Sequence, residues 1–470
     1  MHEYCDQYLL YSISCIGLLF SYNVLVCRRS GAILQPIMFI GVAMLSQQIK
    51  ELNSKETVFW LFGFTLLMPL IFFWPRALPG LLIYFTLLSF VSIGSQWRDL
   101  CRIKDVFIIL FLFLSYAIFS LLWAENPLFG MKEISKILLY SLCGMITLNC
   151  LVKHRVESIK KYFNLMAYAS IASSLIWVFL YLADFKIFSF DLAFSLHYDL
   201  GSFRRGSHLC AVLLFPLSIY LWQSKKRLLA EIAFVALFCT IYLSSKHTAF
   251  LVVLMTAALL PFVFMLRGWF IRLFQLCLIV FFFFAPIVVE PFVEPALTYA
   301  EKAQETDVKI PTSFLHRLKI WDFTSHKIIE KPIQGYGFGS SRFLGAGQRT
   351  SLTVSLLPYF KGVESPDKET LWVLGDLSLL PLHPHNAFLQ IWLELGLVGM
   401  LIAAAFLFFL IEKGLSMPKR AQQMIFMGAL FPALVVVNMS YGLWQSWWIC
   451  SLFIIAGIVQ MMSRVLDERG

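Results

Sequence analysis

The chain has 470 residues, of which 59% are hydrophobic and only 14% charged, with a mean hydropathy of +0.76. Soluble globular proteins run about 45–50% apolar and about 25% charged, so a soluble enzyme, a disordered chain and a fibrous protein are all excluded. The net charge of +10 is read as a topology signal, because excess Lys and Arg in a membrane chain set orientation, and nucleic acid is not expected as a partner.

Met1 to Asp6 lack the basic start of a cleavable leader, so the first apolar stretch is expected to remain as a span. A span needs roughly 17–25 mainly apolar residues. Fourteen candidates follow in order, near 8–26, 31–49, 57–74, 78–96, 105–123, 134–152, 162–183, 208–223, 229–244, 247–266, 270–289, 386–412, 421–440 and 444–462. Several are short, so twelve to fourteen spans are expected. They lack strand alternation, and the predicted class is an all-α polytopic transmembrane helix bundle. The ten cysteines are scattered, form no CxxC and lie in or beside apolar runs, which indicates neither a zinc site nor a disulfide framework.

With the N-terminus inside, the inner loops carry nineteen Lys and Arg and the short outer loops nine, such as Arg28 and Arg29. That ratio favours both termini inside. The other ten basic residues lie with eleven acidic ones in 290–384, the only stretch long enough for an extramembrane subdomain. The predicted organisation is therefore an N-terminal bundle (1–289), an outer loop subdomain (290–384) and C-terminal helices (385–470). Within the loop, Thr312 and Ser313 ahead of Phe314, Leu318 and Trp321 predict a capped amphipathic helix running to about Ile329. Gly335, Gly337 and Gly339 then predict a tight turn, and Asn386 is placed to cap the next helix.

The polar residues on the predicted outer side are few. Arg204 and Arg205 precede the span at His208, Lys246 and His247 sit in a short turn, Arg317 shares a helix face with Trp321, and His383 and His385 end the long loop. Taken singly, each fits a solvated loop charge or a lipid-headgroup contact. Their convergence on one face asks for an anionic partner, and Arg suits phosphate through its two parallel hydrogen bonds. His385 stands at the head of a long helix, whose positive end would keep the imidazole neutral, as a general base requires. A structural histidine fits equally well at this point. Glu394, inside the same span, is expected to pair with a basic residue and fix helix packing.

No GxxxxGK[ST] phosphate loop, HExxH or DxD-type acidic pair occurs, so no ATP site, zinc site or other metal or cofactor is expected. A transporter would call for inverted repeats and broken helices, neither of which is evident in the sequence.

These residues carry a further pattern. His385-Asn386, nine residues, then Gly396-Leu397-Val398-Gly399 fits H[NSQ]-x9-GxxG, and Arg317-x3-Trp321 with Pro332-x2-Gly335-x-Gly337 fits a second stretch. Over about 312–400 the chain resembles the O-antigen ligase superfamily, which includes O-antigen polymerases and protein O-oligosaccharyltransferases. It departs in showing up to fourteen spans where family ligases usually show twelve, and in having Lys246 where many relatives carry arginine. The resemblance implies a metal-independent, inverting glycosyltransferase of GT-C-like fold in the bacterial inner membrane, with its active site at the periplasmic face. It implies an undecaprenyl-diphosphate-linked glycan as donor, lipid A–core as acceptor for a ligase, and contact with membrane lipids. His385 would be the general base, while Arg317, Arg204 or Arg205, and Lys246 would bind the diphosphate. Asn386, Glu394, Gly396, Gly399, Trp321, Gly335 and Gly337 would support them.

Overall fold

A computed structural model describes residues 55–93, 105–182, 200–244, 247–266, 268–304, 312–345, 380 and 382–468. The chain divides into two compact units, Met1–Val58 and Phe59–Gly470, and the candidate site lies in the second. The spans expected at 8–26 and 31–49 fall outside the described residues, as does Lys246.

The described residues form helices and no strand: α1 (Lys55–Phe73), α2 (Leu78–Ile93), α3 (Asp105–Phe119), α4 (Pro127–Leu151), α5 (Val156–Leu182), α6 (Leu200–Gln223), α7 (Arg227–Leu243), α8 (His247–Leu266), α9 (Gly268–Gln304), α10 (Thr312–Glu330), the one-turn α11 (Ser341–Leu344), α12 (Ala387–Leu415), α13 (Arg420–Met439) and α14 (Ser446–Asp467). A helix stands at each of the twelve predicted spans from residue 57 onward, and ten are long and apolar enough to cross a membrane. The protein is an all-α polytopic membrane protein. Helices suffice here because each satisfies its own backbone groups, which lipid cannot do. Outward-facing side chains such as Leu122, Met265 and Phe292 remain exposed, as a lipid-facing surface requires.

Three differences from the sequence reading bear on the site. Helix α6 begins at Leu200 rather than at His208, so Arg204 and Arg205 are helical residues in its first two turns. Helix α9 runs unbroken to Gln304 through Pro286, Pro291 and Pro295, so the boundary expected at residue 289 falls inside one helix. Helix α12 is broken at Gly396 (φ 61°, ψ −160°), although no broken helix was evident in the sequence. The amphipathic helix expected from Thr312 is present as α10.

Helix α6 packs against α7 and α13, α12 against α3, α9 and α10, and α14 against α4 and α13. Helix α10 lies on α9 and α12. Phe282 stacks on Phe388 with ring centroids 4.2 Å apart, and the Trp392 indole donates to Phe282 O at 2.9 Å. These contacts tie α9 to the start of α12. None of the described cysteines, from Cys143 to Cys450, is in a disulfide.

Candidate active site

The site is built on the break in α12. Leu397 N–H, whose regular partner in a helix is Leu393 O, donates instead to Pro332 O at 2.8 Å. The released carbonyls of Leu393 and Glu394 accept from Tyr336 N–H (2.9 Å) and Gly337 N–H (2.8 Å). The tight turn after α10 thus replaces the missing helical bonds. Gly335 (φ 67°) and Gly396 (φ 61°) meet at this junction. A Cβ on Gly335 would lie 2.6 Å from Glu394 O, and one on Gly396 would lie 2.3 Å from Ile333 O. Only glycine adopts this left-handed backbone without cost while allowing such an approach. The two glycine stretches of the sequence pattern are therefore the two halves of one staple.

Glu394 completes the staple. It is fully buried and accepts hydrogen bonds from Gly339 N–H (2.8 Å), the Trp444 indole (2.8 Å) and the Gln390 amide (3.1 Å). The expected basic partner is not what holds it; neutral donors from the turn, α12 and the α13–α14 link do. Phe338, also fully buried, packs against Trp444 with centroids 4.8 Å apart, which contributes about 1.5–3 kcal/mol of apolar burial. Gly399 lies one turn beyond the break, buried against Leu395.

The segment 383–386 at the head of α12 is anchored residue by residue. His385 N–H donates to His383 Nδ1 at 3.1 Å, and the Trp321 indole holds Pro384 O at 3.0 Å. Asn386 caps α12 by accepting from Phe388 and Leu389 N–H at 3.0 and 3.1 Å, as expected from its type and position. His385 itself has φ 55°, a conformation costing a non-glycine residue of order 1–3 kcal/mol and concentrated at functional sites.

His385 Nδ1 lies 2.9 Å from Ser440 O. A carbonyl only accepts, so Nδ1 carries the proton, and in the neutral ring Nε2 holds the lone pair. Burial lowers the His385 pKa below the usual imidazole value, as do the nearby charges of Arg317 and His316, against the opposing bond to Ser440 O. The His383 ring is pushed down to about 3, first by burial, then by His385 and Arg342.

The positive groups meet at the same place. Arg317 acts electrostatically on His385, and Arg205, Arg317 and Arg204 all act on the Tyr441 hydroxyl. Arg204, Arg205, Arg317 and His385, drawn from α6, α10 and the start of α12, therefore share one end of the bundle. Arg317 is half-buried, and neither it nor Arg204 forms an ion pair with a carboxylate among the described residues. Burial lowers the Arg317 pKa and the neighbouring Tyr441 partly restores it; so strong a base stays charged.

Three contributors were not singled out in the sequence. His208 Nδ1 donates to Arg204 O at 2.7 Å, so its Nε2 accepts from the Ser440 hydroxyl at 3.3 Å. The Tyr441 hydroxyl lies 3.1 Å from His208 Nδ1 and 3.3 Å from Arg204 O. Ser440 thus joins His208 through its side chain to His385 through its backbone. The available signal was the presence of polar residues within or beside apolar spans: His208 four residues after Arg204, and Ser440 and Tyr441 just after α13. Among the described residues no three His, Cys, Asp or Glu side chains converge to hold a metal ion.

The fold and this site define a multi-pass membrane protein with a histidine and several arginines grouped at one end of its bundle. Residues 232–404 match the family model described as O-antigen ligase. Over 263 residues, 55% of this chain, it is 28% identical to a provisionally named polysaccharide ligase of Rickettsia typhi, spanning 58% of that protein. A 34% identity over 140 residues links 30% of the chain to 29% of the Rickettsia conorii counterpart. A 24% identity over 345 residues links 72% of the chain to 76% of the Rickettsia prowazekii one. The chain spans under two thirds of the length of the first two of these relatives. These matches support membership of the O-antigen ligase superfamily. The matched region includes Arg317, the glycine staple and His385, and leaves Arg204, His208, Ser440 and Tyr441 outside it.

Proposed function

We propose that the protein is a polysaccharide ligase acting as a membrane glycosyltransferase, with His385 as general base and Arg317, Arg204 and Arg205 as the binding site for a lipid-linked diphosphate. The observation that carries this reading is the bond from His385 Nδ1 to Ser440 O, which leaves Nε2 as the basic atom beside the Arg317 charge. Nε2 takes the proton of the acceptor hydroxyl as its oxygen attacks the anomeric carbon from the side opposite the diphosphate. The bond from that carbon to the diphosphate oxygen breaks, and its electron pair leaves with the lipid diphosphate. The configuration inverts, and His385 returns its proton to solvent.

The arginines neutralise charge as it gathers on the leaving group, often the largest catalytic contribution; the base adds about 10²–10⁴-fold. Arg317 suits this role because its fork matches two phosphate oxygens, and Lys246 is assigned to the same anion. The donor in this reading is a glycan on undecaprenyl diphosphate, and the acceptor is lipid A–core at the periplasmic face of the inner membrane. No metal ion is assigned to the reaction.

The test is a lipopolysaccharide gel of the null strain, complemented with wild type or His385→Ala. Loss of the gene should leave uncapped core and accumulate carrier-linked polymer, restored by wild type and not by the variant at equal expression. Core capped with a single repeat would identify a polymerase instead, and near-normal capping by His385→Ala would end the base assignment. Transfer by the purified protein should persist in excess EDTA.

A further inference from the structure

His385 combines a left-handed backbone with a ring committed at Nδ1, and something must hold both. We propose that His383 is a positioning residue for this base, holding residue 385 through a hydrogen bond to its backbone so that Nε2 faces the reacting hydroxyl. The inference rests on the reading of His385 as the base. Three contacts support it. His383 Nδ1 accepts His385 N–H at 3.1 Å, and the two rings lie 4.3 Å apart at 59°. The other side of the His383 ring rests on Gly442, where a Cβ would lie 2.8 Å from His383 Cδ2. Gly442 belongs to the link between α13 and α14 that also supplies Ser440 O to His385 Nδ1. His383 is thus wedged between the backbone of the base and the segment that fixes the base's tautomer.

The intervening residue is held too, since the Trp321 indole donates to Pro384 O, so the ring at 383 cannot drift along the chain. His383 is unsuited to being the base itself, because its Nδ1 lone pair is committed to a backbone amide. Its ring stays neutral at physiological pH, with its pKa near 3, and the amide bond therefore persists through the working range.

The geometry gives a discriminating substitution series. In His383→Asn the Oδ1 atom occupies the place of Nδ1 and can accept the same N–H; in His383→Gln the acceptor is one bond too far; in His383→Ala it is gone. Misplacing a catalytic group by about 1 Å costs on the order of 10²-fold in rate. The expected result is a kcat loss of that size in Ala and Gln, with the KM for donor little changed, and recovery of most of the rate in Asn. A second readout does not depend on transfer: diethyl pyrocarbonate labelling of the intact, detergent-solubilised protein, with adducts at residue 385 counted by mass spectrometry. Wild type and His383→Asn should carry a single adduct there, because the Ser440 carbonyl, 2.9 Å away, covers Nδ1, while Ala and Gln, whose ring is free to swing away from that carbonyl, should gain a second. Wild-type kcat in His383→Ala, an Asn variant no better than Gln, or an unchanged single adduct in His383→Ala would each overturn the proposal. Wild-type transfer by His385→Ala would instead sink the base reading, and the adduct counts would still decide whether His383 holds residue 385.

Discussion

Replacing Gly335 by alanine tests whether the two glycine stretches form one staple. Alanine at φ 67° costs about 1–2 kcal/mol in the left-handed conformation. Its Cβ would lie 2.6 Å from the backbone C and O of Glu394 and 2.7 Å from Gly396 N. These are backbone atoms with no flexible end to yield, so overpacking adds about 1–3 kcal/mol. Separating the strands of the junction also strains the bonds from Tyr336, Gly337 and Leu397 N–H, each contributing about 0.5–1.5 kcal/mol net. Gly335→Ala should therefore lose about 2.5–6.5 kcal/mol if one bond breaks, a large fraction of a typical stability of about 5–15 kcal/mol. Gly80→Ala is the matched control: a Cβ there meets nothing within 4 Å, and alanine favours a helix over glycine by up to about 1 kcal/mol. Membrane proteins of this size unfold irreversibly, so the assay is the fraction remaining monodisperse in detergent after heating for a fixed time. Gly335→Ala should collapse at a markedly lower temperature than wild type, and Gly80→Ala should match or exceed wild type. Overlaying curves for the two variants would refute the staple.

Glu394→Gln should destabilise despite matching shape, because the amide nitrogen cannot accept from Gly339, Trp444 or Gln390; one buried donor left unpaired costs about 1–3 kcal/mol, readable by the same heating assay. The acid limb of the transfer rate should lie below the ordinary imidazole value of about 6.5, since burial and Arg317 lower the His385 pKa and the neutral base is lost only as pH falls through that lowered value. Arg317→Gln removes a charge that disfavours imidazolium, so the limb of its residual activity should move up; Arg317→Lys keeps the charge and should slow transfer without moving the limb. Equal limbs for Gln and Lys would separate Arg317 from His385. Tyr441→Phe removes the hydroxyl beside Arg204 O and His208 and should lower the rate by roughly 2–10-fold, the worth of one neutral hydrogen bond, with expression unchanged.

The spans were legible because lipid exposure imposes long apolar runs that survive in one sequence without any knowledge of partners. Helix α10 and the Asn386 cap were legible for a related reason: both are local, set by residues within a turn or two. The start of α6 was hidden because Gly201, Arg204, Arg205 and Gly206 lower the local hydropathy, although α13 packs along that helix. The extension of α9 was hidden by Pro291 and Pro295, which ordinarily end a helix. Glu394 was misassigned because two of its donors, Trp444 and Gly339, lie 50 and 55 residues away, and the local one, Gln390, does not by itself distinguish a carboxylate met by neutral donors from one met by a cation. The Ser440 bridge joins residues 232 and 55 positions apart, beyond the reach of any periodicity.

The staple also explains why residues so far apart in the chain can serve one reaction. Arg317 stands on α10 and His385 just ahead of α12; between them lie 67 residues, some of which fall outside the described structure. What fixes α10 against α12 is the junction at Gly335 and Gly396, where main-chain bonds broken in one helix are remade by the turn that ends the other. A helix broken among apolar neighbours is costly unless its freed carbonyls find donors; here the donors come from the segment carrying the cation. The energetic demand of the break and the geometric demand of the site are met by the same bonds. Disturbing the junction should therefore change the separation of Arg317 and His385 before it unfolds the bundle. A lesion beside the Gly335–Gly396 contact, Gly337→Ala, whose Cβ would lie 2.5 Å from Ala124 Cα, should lose transfer at temperatures where the helices remain intact by circular dichroism. Parallel loss of helix and activity with temperature would show the junction to be a stabilising contact alone.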